Sequence, residues 1–334
     1  MMDNPPDRMD PILDLLDQRP RENWAWSFDP VAPGESRTNA IALCNLSILT
    51  YSAQSEVRRF LIDQWKFDSF VPLHKNQGFV ARRGEVLVIA FRGTQPMNAY
   101  DWISDVNYHQ RTLRPGISGL IHGGFATALE EVVQPMLDAV ASLSGAAKRL
   151  YVTGHSLGGA LAILAATLLK LVEKQEVAGV YTYGQPRVAD PEFASAYNQA
   201  LGAVTFRYVN DLDVVPHVPP TRMPAKTALQ GSSLKGLLGG LQNASREIEK
   251  TLGAVLKGQQ FDHVGELRLF GNDGKLTADP LEWQKREVIY SGTFTELLQQ
   301  FPQLLRAQFA QFLRGPNRLL HHDPVRGYLA KLEA

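Results

Sequence analysis

The chain has almost no cysteine, no block of like charge and no apolar run among its first residues, and each shortage sets an expectation about function. A single cysteine, Cys44, among 334 residues excludes an intrachain disulfide; flanked by Leu43 and Leu46, it reads as a buried structural thiol. Lys and Arg together number 34 and so do Asp and Glu, so a nucleic-acid partner held by phosphate neutralisation is not expected. Small or apolar substrates fit better. The N-terminal run Met-Met-Asp-Asn-Pro-Pro-Asp-Arg lacks the apolar core that a secretory signal needs. The uncharged stretch from Leu150 to Leu169 reaches membrane-spanning length, but His155, Ser156 and the glycines 154, 158 and 159 interrupt it at an expected turn. A buried strand and helix are therefore expected there, and no transmembrane segment. No cluster of metal-ligating residues stands out, and no cofactor is expected.

What is present is ample core material, 44% hydrophobic residues, enough for one large α/β domain. Residues 1–35 are polar and carry Pro5, Pro6, Pro11, Pro20, Pro30 and Pro33, the composition of an arm lying over the surface. Residues 36–334 read as a single domain. Ala40 to Ala53 and Glu56 to Trp65 have helical patterning. Gly78 to Ala81 and Glu85 to Phe91 read as a hairpin whose second, nearly all-apolar strand is central. Phe125 to Leu143 has helical spacing, and Gly179 to Tyr183 and Thr205 to Val209 are further apolar strands. Strand and helix thus alternate, which implies a largely parallel sheet with helices on both faces and functional groups at the carboxyl ends of strands.

One segment carries the chemistry. In Tyr151-Val152-Thr153-Gly154-His155-Ser156-Leu157-Gly158-Gly159-Ala160 a serine sits between glycines, after a strand and before the apolar helical run Leu161, Ile163, Leu164, Leu168, Leu171. A strand–turn–helix elbow needs small residues two before and two after its central residue, because the backbones are forced together. Gly154 and Gly158 meet that need. Ser156 is then a candidate nucleophile, exposed at a helix N-terminus with the Leu157 amide aimed where an oxyanion would form. Acyl transfer further requires a base and an acid that orients it. Asp211 and Asp213, after the strand ending at Val209, compete for the acid. His217, His263, His321 and His322 are the downstream histidines, and residue chemistry alone does not choose among them.

Beyond the elbow, the sequence contains Phe91-Arg92-Gly93-Thr94, Asp101-Trp102-Ile103-Ser104-Asp105, Ile121-His122-Gly123-Gly124-Phe125, Tyr183-Gly184-Gln185-Pro186-Arg187-Val188 with Asp190-Pro191, and Asp213-Val214-Val215-Pro216 leading to Pro219-Pro220. In this order, from about residue 40 to the C-terminus, the chain resembles the class 3 lipase family, which includes the filamentous-fungal triacylglycerol lipases. The resemblance implies an α/β-hydrolase fold and a serine carboxyl-ester hydrolase, with Asp213 rather than Asp211 as the acid and His322, ahead of its neighbour His321, as the base. The segment carrying that base, His321-His322-Asp323-Pro324-Val325-Arg326-Gly327-Tyr328, has the following aromatic that the family shows. His263, in Phe261 to Leu267, resembles a structural strand segment instead. The resemblance also adds the amide of Thr94 to that of Leu157 as an oxyanion donor, and matches Asp101, Trp102 and Asp105 to a short lid.

The chain departs from the compact fungal lipases in three ways. A leucine-rich amphipathic insertion, residues 222–258, has two readings: a second lid or interfacial helix seated on lipid, or a helical hairpin packed on the core or at a dimer contact. A second apolar stretch, Phe294 to Leu313, is expected to face the core, kinked or split at Pro302. The disulfides of fungal members are lacking. A lipid or ester substrate is therefore expected, a triacylglycerol first, with phospholipid, monoacylglycerol and feruloyl-type esters as alternatives and an inactive lipid-binding scaffold as the non-enzymatic one. A cytoplasmic location, or export without a conventional signal, is expected; oligomeric state is not legible.

Overall fold

The computed structural model describes residues 25–93, 109–210, 213, 215–219, 221, 260–271, 274–284 and 328–334. Its frame is an eight-stranded sheet. Strands β1 (Ser69–Pro72), β2 (Gly78–Arg83) and β3 (Val86–Phe91) form an antiparallel run. A short ladder of β4 (Gln110–Arg111) and β5 (Ile121–His122) stands apart from it. From β3 the sheet continues through β6 (Arg149–His155), β7 (Val177–Tyr183), β8 (Thr205–Asn210) and β9 (Glu266–Phe270), all parallel, and ends in β10 (Leu276–Thr277), antiparallel to β9. This mostly parallel sheet with flanking helices is the α/β-hydrolase architecture. The expected hairpin is β2–β3, and all six residues of β3 are buried, as a strand covered on both faces requires.

Helices cover the two faces: α1 (Arg37–Leu49), α2 (Gln54–Arg58, running into a π-helical turn Arg59–Gln64), α3 (Gly123–Glu130), α4 (Val133–Leu143), α5 (Leu157–Leu171), α6 (Pro191–Leu201) and the short α7 (Ala330–Glu333). The caps are written in the sequence. Ser36 Oγ accepts from the Asn39 amide at the start of α1, and Asp190 caps α6 through the Phe193 amide, with Pro191 in the first turn. The expected single helix Phe125–Leu143 is instead two, because Val132 leaves helical geometry. In a continuous helix Pro135 would clash with the carbonyl of Glu131; restarting at Val133 places it in a first turn, where no such bond is needed.

The alternation of β3 divides the core. Leu87, Ile89 and Phe91 pack with residues of α3 to α6, including Phe125, Met136, Leu161 and Phe193. Val86, Val88 and Ala90 pack with Leu43 of α1, Phe60 and Trp65, and Trp26 and Phe28 lie against that cluster. Each such buried side chain contributes about 1.5–3 kcal/mol. Among the described residues no helix is long and apolar enough to cross a membrane.

Candidate functional site

β6 ends at His155, and α5 begins at Leu157, leaving Ser156 alone at the turn. Ser156 has φ 58° and ψ −128°, a left-handed backbone that a non-glycine residue holds only where its surroundings over-determine it. The surroundings are close. A Cβ on Gly154 would stand 2.1 Å from the Gly158 carbonyl oxygen, and one on Gly158 would stand 2.3 Å from that of Phe91. Backbone cannot yield at such distances, so both positions of the elbow demand glycine. The Ser156 amide donates to the Tyr183 carbonyl at 2.9 Å, tying the turn to β7. Its Oγ is buried and has no hydrogen-bond partner among the described residues. The first amides of α5 have no acceptor within the helix, and the positive end of the helix dipole points at the same place. The arrangement suits a developing negative charge beside Ser156.

Asp213 follows β8 and is fully buried. A buried carboxylate is tolerable only when its oxygens are satisfied. Oδ1 accepts from the Val215 amide at 2.9 Å, and Oδ2 accepts a short hydrogen bond from the Tyr328 hydroxyl. That hydroxyl in turn accepts from the Asn210 amide at 3.2 Å, and Lys331 Nζ donates to Asn210 Oδ1 at 2.6 Å. Burial and the Asp213 carboxylate hold the Tyr328 phenol well above its usual range, so it stays a proton donor. The Tyr328 ring also lies 6.0 Å from that of His155, the residue before Ser156. Parallel strands β6 and β8 thus deliver Ser156 and Asp213 at their carboxyl ends, and Tyr328 touches Asp213 and the neighbour of Ser156. Sequence reading has Tyr328 only as the aromatic after a histidine; its contact with a residue 115 positions earlier leaves no local signal.

Two of the downstream histidines, His263 and His217, are described, and both are engaged elsewhere. His263 Nε2–H donates to the Pro216 carbonyl at 2.7 Å, and its ring meets Trp283 edge-on. Burial, with Arg207 and Arg187 nearby, holds that imidazole well below its usual range, so it is neutral. His217 stacks on Trp283 with centroids 4.4 Å apart, and its carbonyl accepts from Arg187 at 2.6 Å. A cavity of about 820 Å³ bounded by Arg187, Arg207, His263, Arg268 and Trp283 opens beside this group and does not include Ser156 or Asp213. The remaining expected residues lie outside the described ones: Thr94, Asp211, His321 and His322, the lid segment 95–105 with Asp101, Trp102 and Asp105, the insertion 222–258, and the stretch from Phe294 to Leu313.

Residues 88–223 match the family model described as lipase (class 3). Over 143 residues the chain is 36% identical to a lipase of Rhizomucor miehei, covering 41% of this chain and 38% of that protein. It is 37% identical over 136 residues to a secreted mono- and diacylglycerol lipase 1 of Fusarium solani, covering 40% of this chain and 39% of that one. A solved structure of the Rhizomucor miehei lipase with its propeptide is similar at a TM-score of 0.47 and 24% identity, covering 75% of this chain and 74% of that chain. The chain spans about two-fifths of the length of these curated relatives.

Proposed function

We propose that this chain, whose residues 88–223 match the class 3 lipase family, is a serine carboxyl-ester hydrolase acting on acylglycerols, triacylglycerol first. Ser156 Oγ attacks the ester carbonyl while His322 takes its proton. Asp213 orients the imidazole, and the amides of Leu157 and Thr94 hold the oxyanion, each such donor being worth about 3 kcal/mol of barrier. The proton returns to the departing alcohol as the carbon–oxygen bond breaks. Water then attacks the acyl-serine by the same route and frees the acid.

The observation that carries this reading is Ser156 itself. A serine held at positive φ on a strand-to-helix turn, at the positive end of a 15-residue helix, is costly for stability and useful for acyl transfer. Hydrolysis of p-nitrophenyl esters of graded chain length tests the proposal, with unmodified protein against Ser156→Ala. Activity on long chains that falls roughly 10⁴-fold or more in the variant is the expected result. Equal activity in both proteins would overturn it. Comparing triacylglycerol with phospholipid emulsions then separates lipase from phospholipase.

A further inference from the structure

Tyr51 follows Thr50, the C-cap of α1, its amide bonded to the Ile48 carbonyl at 3.0 Å. Nothing in its sequence context marks it. Its hydroxyl nevertheless shares a hydrogen bond of 2.9 Å with His155 Nδ1, and the two rings meet edge-on at 6.0 Å. His155 is the last residue of β6 and the neighbour of the strained Ser156. The same hydroxyl bears on a third segment, Gly93, two residues past the end of β3. A Cβ built on Gly93 would stand 2.3 Å from Tyr51 Oη, 2.6 Å from the His155 carbonyl oxygen and 3.2 Å from Ser156 Cβ. The Arg92 guanidinium lies over the Tyr51 ring at 5.8 Å. One phenol therefore joins the residue before the nucleophile to the glycine packed against the nucleophile.

A residue at φ 58° relaxes unless both sides of it are fixed. On its C-terminal side Ser156 is fixed by α5. On its N-terminal side β6 fixes the backbone, and the imidazole of His155 is fixed by Tyr51. We propose that Tyr51 is a positioning residue for the nucleophile: through its hydroxyl on His155, and its contact with Gly93, it holds the elbow and the end of β3 in register. This rests on the serine-hydrolase reading above. The bond touches no reacting atom, so its loss alters how often the elbow is in reactive geometry, not how substrate binds.

The test is the second-order rate of labelling by an alkyl fluorophosphonate, together with kcat and KM, for unmodified protein, Tyr51→Phe, His155→Gln and the double variant. Tyr51→Phe keeps the ring and is expected to slow labelling and lower kcat about fivefold, the value of one neutral hydrogen bond, with KM unchanged. If the effect travels through His155, the double variant is no slower than His155→Gln alone. Circular-dichroism melts confine the comparison to folded protein, so a purely structural loss shows as a lower Tm with an unchanged rate. An unchanged labelling rate in Tyr51→Phe, or full additivity in the double variant, overturns the inference. Absence of labelling in unmodified protein overturns the serine-hydrolase reading instead, and the two failures stay distinct.

Discussion

At the scale of single residues, the site is held by groups of opposite legibility. Ser156 declares itself through glycines two positions to either side, because the steric demand of the elbow is local; the distances at Gly154 and Gly158 show that demand in full. Asp213 is half legible: residue chemistry leaves Asp211 beside it, the family resemblance favours Asp213, and the donors that satisfy its buried carboxylate, the Val215 amide and the Tyr328 hydroxyl, leave no local signal. Tyr328 is illegible, since its contact spans the chain. It lies six positions beyond His322, so the residue that donates to the proposed acid is near the proposed base in sequence. His155 from β6, Tyr183 from β7, Asn210 from β8 and Cys44 from α1 surround its hydroxyl or ring. Tyr328→Phe removes one hydrogen bond to a carboxylate, typically about 1.5–3 kcal/mol. We predict a fall in kcat of about tenfold with KM kept. In the proposed triad Asp213, relieved of one donor, pulls harder on the base and raises its pKa, so the acid limb of the kcat/KM profile is expected to move to higher pH. A variant with an unmoved pH profile would show that Tyr328 packs and does no more.

At the scale of elements, helix starts are legible because caps are short-range. Ser36 and Asp190 announce α1 and α6, but His122, which caps α3 by accepting from the Gly124 amide at 3.1 Å, is not an expected capping residue. It brings a titration with it. Burial, and then His109 nearby, lower the His122 pKa from 6.5 to about 4, in keeping with a bare Nδ1 as the acceptor. Below pH 6.5 the unfolded chain binds a proton that the folded chain refuses. Stability is therefore complete above that pH and falls as the pH drops towards 4, by about 1.4 kcal/mol per pH unit for this one group. His263 acts with the same sign. In His122→Asn the side-chain oxygen keeps a cap and the titration is gone, while His263 stays common to both proteins. Urea unfolding at pH 7 and pH 4.5 is expected to show a smaller acid loss in the variant, by about 2 kcal/mol. Equal losses would mean that His122 is already charged in the folded state. The break between α3 and α4 has the same lesson in reverse: hydrophobic spacing runs straight through Val132, and only the backbone conflict at Pro135 reveals two helices.

At the scale of the whole molecule, alternation of strand and helix was enough to read a mostly parallel sheet, because each period is set by which face is buried. Edges were less legible. β1 and β10 are short, and β10 adds only Leu276 and Thr277, too little for a pattern. The proline-bearing arm conceals its own attachment: polar composition dominates residues 1–35, yet Trp26 stacks on Phe28 at 5.3 Å and meets Phe67 edge-on at 4.8 Å, and Phe28 meets Tyr151 at 4.9 Å. Glu35 then accepts from Tyr208 at 2.7 Å and pairs with Arg268. These contacts lie on the face of the sheet that α1 covers, and they tie residues 26–35 to strands β6, β8 and β9. They touch neither Ser156 nor Asp213. Stability and reactivity are therefore separable here. Removing both aromatic rings in Trp26→Ala/Phe28→Ala is expected to cost about 2–4 kcal/mol, below the sum for two fully buried rings because both are partly exposed and because they share a contact. The fluorophosphonate labelling rate of the folded protein should stay that of the unmodified chain. A lower midpoint in urea with an unchanged rate places the arm in the scaffold alone. A slower rate at full folding would mean that strain relieved at Tyr151 reaches the elbow five residues along the same strand.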